Sequence, residues 1–280
     1  MLNLPWEAEK SEEKMMKKTM MAVAALSATV AMADVVSSDV VGYQNKAASE
    51  DGLNWVVSTF LPIGTAAEDV TLSDLSVSQG WDPTQDSVQL FNGNGGTAGL
   101  YTYISAEVAA ENEIETGAGW YDSNEIDEGN FVKCDSVSIP YGTGMAIACA
   151  DPSTALIFSG SVQKGTVAFA MNAGGLNWTG NALPVDISLG DMTAGETWDP
   201  TQDSVQYFNG NGGTAGLYTY ISAEVAAENE IETGAGWYDS NEIDEGNFVL
   251  VNTVELPAGK AFAVSVANDG TTVVLPKAID

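Results

Sequence analysis

The densest clusters of side-chain oxygens lie in two acidic turns, Asp122-Ser123-Asn124-Glu125-Ile126-Asp127-Glu128-Gly129 and its copy Asp239 to Gly246. Calcium takes roughly six to eight oxygens, and a helix–loop–helix calcium loop places Asp or Asn at its first, third and fifth positions with Gly next. Ile126 stands where the fifth-position ligand belongs, so the regular motif fails. The spacing admits only an irregular calcium site at Asp122, Asn124 and Asp127, repeated at Asp239, Asn241 and Asp244, beside the plainer reading of a solvated acidic turn. No other cofactor is implied. Asp82 and Asp86 in "WDPTQDS" make a similarly thin case for a cation.

Just before each acidic turn stand Trp120-Tyr121 and Trp237-Tyr238. Their rings could stack on sugars if exposed, or fill a core, since large aromatics dominate small interiors. Core is the favoured reading for each tryptophan, and their place between a glycine and the acidic turn makes these the first aromatic pairs to look for at the surface. Cys134 and Cys149 are the chain's two cysteines. If 131–134 and 145–149 pair as a hairpin about Pro140-Tyr141-Gly142, the two face each other and form a disulfide, contributing about 3 kcal/mol in an exported protein. Two buried thiols are the other reading. The corresponding positions of the second copy are Val251 and Val266, an apolar pair.

Other chemistries are excluded or weakened. The chain has no histidine, which removes Ser-His-Asp triads and histidine metal sites. Phe91-Asn92-Gly93-Asn94-Gly95-Gly96 resembles a phosphate loop only superficially: it leads into a tyrosine-rich strand, with no following lysine, and reads as a hairpin loop. Paired carboxylates could hydrolyse glycosides, but every candidate acid in the repeated stretch occurs twice, in units too small to offer a broad cleft. The expectation is a protein that is not an enzyme.

The elements that must position these residues are themselves repeated. Residues 81–132 recur as 198–249 with the single change of Leu90 to Tyr207, and Gly52-Leu53-Asn54-Trp55 recurs as Gly175-Leu176-Asn177-Trp178. A repeat of this length is domain-sized. Short Val-, Ile-, Thr- and Tyr-rich segments punctuated by Gly, Asn and Pro predict strands, while Ser105 to Glu115 predicts one short helix capped by its serine. The expected fold is all-β: two tandem antiparallel β-sandwich domains, residues 34–157 and 158–280, each with one short helix. The Leu90/Tyr207 exchange suggests a partly exposed strand position.

The net charge is −30 with 45% apolar residues, a balance that folds but repels nucleic acid. Residues 1–33 read as an N-terminal extension plus a signal: Met16-Lys17-Lys18, a short apolar run from Thr19 to Val30, and Ala31-Met32-Ala33 before Asp34. The predicted location is secreted or cell-surface, with no transmembrane span after cleavage.

At "MKKTMMAVAALSATVAMADVVSSDVVGYQNK", "VSIPYGTGMAIA" and "VELPAGKAFAV" the chain resembles a group of uncharacterised exported bacterial β-rich proteins, in which a signal precedes a V-V-G-Y strand and Pro-x-Gly hairpins. The resemblance implies export and β structure and carries no activity. Residues 154–162 read as the closing strand of one domain running into the opening strand of the next, and Val35–Tyr43 and Thr271–Leu275 as halves of the same junction. Subunits could therefore self-associate head to tail by strand addition, or both ends could complete their own sheets. The functional expectation is an exported structural or adhesive surface protein, with a duplicated carbohydrate-binding module for cell-surface glycans, using Trp120 and Trp237, as the alternative.

Overall fold

The structure is a computed structural model that describes residues 41–47, 53–62, 69–93, 95–209 and 213–277. The predicted signal and its cleavage site lie outside the described residues. In chain order the first repeat contains β1 (Val41–Ala47), β2 (Leu53–Val57), β3 (Val70–Thr71), β4 (Ser76–Val77), β5 (Ser87–Phe91), β6 (Thr97–Ile104), α1 (Ala106–Glu111), β7 (Gly119–Asp122), α2 (Ser123–Asp127), β8 (Ser138–Ile139), β9 (Gly144–Ala148) and β10 (Ala155–Ser161). The second contains β11 (Val167–Ala170), β12 (Leu176–Gly180), β13 (Ile187–Ser188), β14 (Thr193–Ala194), β15 (Ser204–Phe208), β16 (Thr214–Ile221), α3 (Ala223–Glu228), β17 (Gly236–Asp239), α4 (Ser240–Asp244), β18 (Glu255–Leu256), β19 (Ala261–Ser265) and β20 (Thr272–Leu275).

The all-β composition is as expected, but the architecture is not two tandem sandwiches. Each repeat forms a five-stranded sheet, β2-β9-β5-β6-β7 or β12-β19-β15-β16-β17, a three-stranded sheet, β1-β10-β4 or β11-β20-β14, and a two-stranded one. These small sheets are arranged as a four-bladed β-propeller, and both repeats belong to one compact unit, Val41–Asp280.

Strand alternation explains why a self-contained sandwich fails. In β2 Val56 points into the core of its own repeat, while Trp55 and Val57 point into the core built mainly by the second repeat. In β9 Met145 and Ile147 face the first core and Ala146 the second. Successive side chains leave a strand on opposite faces, so these strands are buried on both sides and half of their apolar surface needs the other repeat.

Three contacts lock the repeats together. Trp55 and Trp178 stack at 4.4 Å with ring planes 7° apart, flanked by Phe91 and Phe208. The Pro-x-Gly hairpin of the first repeat enters the second: the Tyr141 hydroxyl donates to Ala182 O (2.6 Å), and Thr179 Oγ1 donates to Gly142 O (2.9 Å). Gly142 sits at φ 80°, and a Cβ there would lie 2.2 Å from the Phe169 ring, so both conformation and space demand glycine. Reciprocally, Val57 N donates to Gly259 O (2.9 Å), and Gln44 and Lys46 both donate to Ala258 O.

The reading of residues 154–162 as a junction is also corrected. They form one closing strand of the first repeat, β10, which pairs with β1 and β4. The last strand, β20, lies between β11 and β14 with both edges occupied. β1 and β20 each pair within the sheet of their own repeat, and residues 35–40 of the predicted first half lie outside the described residues. The predicted helix at Ser105 is present, with Val108 N bonded to Ser105 Oγ (3.2 Å), but it stops after Glu111 because the chain turns through Glu113 at φ 54°. A second short helix, α2, replaces the expected turn.

Candidate functional site

Trp120 and Trp237 are fully buried, as are Tyr121 and Tyr238. The Trp120 indole N–H points at Leu75 O (3.5 Å) and that of Trp237 donates to Met192 O (3.0 Å), while Trp81 and Trp198 meet them edge to face. Tyr121 hydrogen-bonds Gly117 O and Thr116 Oγ1. Sugar stacking on these rings is therefore corrected: the two faces of β7 are both covered, by the repeat core on the Trp120 side and by α1 and α2 on the Tyr121 side. The acidic segment has the composition of a free turn but forms a helix that roofs the tyrosine.

That helix also accounts for the proposed calcium ligands. Asp122 is the cap of α2, its Oδ1 accepting from Asn124 N at 2.9 Å and from Asn124 Nδ2 at 3.2 Å; Asp239 and Asn241 repeat the arrangement. Asp127 and Asp244 lie at the far ends of these helices. Among the described residues no three Asp, Glu, Cys or His side chains are grouped so as to hold a metal ion.

The cysteines are both free thiols. The expected hairpin cannot form because β9 is already paired on both edges, with β2 and β5, and Cys134 N instead bonds Trp120 O at 2.7 Å. Burial pushes the Cys149 thiol up to about 12, aided by the nearby Asp86 charge. Burial, with Asp122 beside it, raises Cys134 as well. Neither sulfur is an activated nucleophile, since thiolate character is what confers reactivity.

"WDPTQDS" has a structural role. Asp86 is buried, its Oδ2 accepting from Asp82 N (2.8 Å) and its Oδ1 from Ala150 N (2.8 Å), so it ties the loop to the end of β9. Asp203 makes the same two bonds, to Asp199 N and Ala267 N. Asp82 accepts from the Thr84 hydroxyl, Thr84 N and Gln85, which together hold its carboxyl below the usual range. The sequence carried the signal in the retention of both aspartates in both copies, but spacing alone could not tell a cation ligand from a backbone latch.

Beside this loop lies a cleft of about 340 Å³. Its floor is Leu100, Ile104, Val108, Ile114 and Ile126, with Phe131 at the mouth, and Gln85, Asn112 and Asp127 add polar groups. Ser123 also lines it, and its Oγ is buried without a hydrogen-bond partner. Every lining residue falls within 83–131, inside the duplicated stretch, so an identical set recurs in the second repeat. There Ile221, Ile231 and Tyr238 form the matching buried cluster with Val225 and Ile243, and Ser240 Oγ is likewise buried and unpartnered. A wider groove of about 460 Å³ runs between the repeats along Tyr141, Phe169 and Trp178.

Lys46 and Lys260 sit where the repeats meet. Burial lowers Lys46 to about 8, with Asp186 opposing the shift and Lys260 adding to it. Burial lowers Lys260 too, and its ammonium lies 5.6 Å from the centre of the Tyr207 ring. Tyr207 is partly exposed, as the exchange suggests, whereas Leu90 at the corresponding position of the first repeat is core. No known protein family, curated protein or solved structure matches the chain. Among the described residues no helix is long and apolar enough to cross a membrane.

Proposed function

We propose that the protein is an exported, non-enzymatic structural or adhesive protein of the cell surface whose working element is the duplicated cleft-bearing face. One observation carries this reading: the stretch holding the whole cleft is the same in both repeats, whereas the segments that follow it, Lys133-Cys134-Asp135 against Leu250-Val251-Asn252 and Tyr141 against Ala258, have diverged. Two copies of one face on a compact body suit attachment at two points, where linkage multiplies modest affinities. Export is supported by the basic, apolar and Ala-x-Ala pattern of residues 16–33. The absence of catalysis is supported by the commitment of Asp86, Asp122 and their twins to backbone N–H groups. Polymerisation by docking of the last strand is disfavoured, because β20 would first have to leave a sheet in which both its edges are bonded.

The test combines protease accessibility on intact producing cells with adhesion of cells carrying or lacking the gene. The reading expects surface digestion and weaker adhesion of the deletion strain. A cytosolic protein, or turnover of a polysaccharide by the purified chain, would overturn it.

A further inference from the structure

The cleft is apolar at its floor, and Asp127 in its lining is joined by exposed carboxylates next in the chain to other lining residues, a combination that selects an occupant. Phe131 and Val132 remain 40% and 46% exposed, and Phe248 and Val249 in the second copy 42% and 44%. Large apolar side chains beside an open cleft mark a surface that gains by being covered. Glu107, Glu111, Glu113, Glu115, Asp127 and Glu128 are all exposed, on α1, in the loop after it and at the end of α2. Residues 81–132 contain no lysine or arginine, and Lys133 just beyond is engaged with Thr116 O, Ala118 O and Asp135. The stretch that forms the cleft therefore carries negative charge that no lysine or arginine of its own offsets, which disfavours phosphates, anionic lipids and acidic glycans. A volume of this order falls in the range of specific pockets, roughly 300 to 1,000 Å³.

We propose that each cleft docks a cationic amphipathic peptide segment of a partner protein, so that one chain grips its partner at two equivalent points. An aliphatic or aromatic side chain of the segment sits on Leu100, Ile104 and Ile114 against Phe131. Neighbouring lysines or arginines meet the carboxylates of α1 and α2. Charge supplies speed and partner choice, and apolar burial supplies residence. The proposal rests on the adhesive reading for its biological setting.

Fluorescence anisotropy with the full chain tests it, using three labelled synthetic peptides of equal length: lysine–leucine, all-lysine and glutamate–leucine. The lysine–leucine peptide is expected to fill two sites per chain, about ten-fold or more tighter than all-lysine, and glutamate–leucine not to bind. Phe131→Lys with Phe248→Lys is expected to lower that affinity about ten-fold, and either change alone to leave one site. Glu111→Lys with Glu228→Lys, both at exposed positions, serves as a second variant with no demand on the core and is expected to weaken lysine–leucine binding. Equal binding of the two cationic peptides, or unchanged binding by both double variants, would overturn the proposal and leave only diffuse attraction to a polyanion. If peptide binding fails while deletion still weakens adhesion, the docking inference falls alone; if the protein proves cytosolic, the functional reading falls whatever the peptides do.

Discussion

The two repeats share a sequence over their clefts and differ where they hold one another. In the first repeat Trp120 N donates to Asp135 Oδ1 (2.7 Å), and Asp135 pairs with Lys133 (3.2 Å); in the second Trp237 N donates to Asn252 Oδ1 (2.8 Å), and leucine stands at 250. The backbone bond survives the loss of charge, so the acceptor is what the fold requires and the ion pair is an addition. The hairpins differ more. Tyr141 reaches across to Ala182 O, whereas Ala258 presents its own carbonyl to Gln44 and Lys46. One interface is thus made twice by different chemistry, around a Trp55–Trp178 stack common to both halves.

The largest effect follows from that stack. Trp55→Ala or Trp178→Ala removes a ring that the two repeats contribute jointly to the core built mainly by the second and is expected to cost about 3 to 5 kcal/mol in urea unfolding. The double variant should cost less than the sum, because the rings contact each other. If each change lowered stability by under 1 kcal/mol, the repeats would not depend on the stack.

The latch aspartates come next. Asp86→Ala leaves two backbone N–H groups without their acceptor, at an expected cost of about 2 to 3 kcal/mol. Asp203→Ala should match it closely, since its bonds are the same to within 0.1 Å. Unequal costs would show that the context of the two repeats differs even where their sequence does not.

The one exchange inside the duplicated stretch is expected to be directional. Leu90→Tyr inserts a larger side chain into a packed core, where the position corresponding to Lys260 is Thr143, and should cost about 1 to 3 kcal/mol. Tyr207→Leu should cost less, because Tyr207 is only half-buried. The pair is compared by thermal unfolding.

The smallest effect is electrostatic. The folded chain lowers Lys46 to about 8 from an ordinary value of 10.5. Between these values the unfolded chain binds more protons, so this lysine makes stability rise with pH, and the contribution is lost as pH falls through the window. Lys46→Met should flatten the rise in melting temperature between pH 8 and 9. Lys260, lowered in the same direction, should preserve part of it. An unchanged slope would place the Lys46 ammonium in water.

Much of the local structure was legible in the sequence. Alternation in Ser87–Phe91, the glycine loop after it and the Ser105 cap all point to the elements that form. What spacing could not convey was the second face of a strand. Trp55, Val57 and Ala146 look like ordinary core residues, and only the structure shows that the core they enter belongs largely to the other repeat. The same limit hid the cleft, whose floor comes from β6, α1, α2 and the loops around them, and misplaced Trp120, which is enclosed by elements distant in sequence. The disulfide expectation failed at strand order: facing positions in a hairpin require an unpaired edge, and β9 has none.

The most direct test of an interdependent pair of repeats is equilibrium urea unfolding of the whole chain beside the isolated second repeat, residues 163–280. Burial of β2 and β9 on both faces predicts a single cooperative transition for the chain, and loss of Trp55, Val57 and Ala146 from the core of the second repeat predicts a fragment that is unfolded or associates through its exposed Trp178 face. Two separate transitions, one of them reproduced by a monomeric, folded 163–280 fragment, would contradict it.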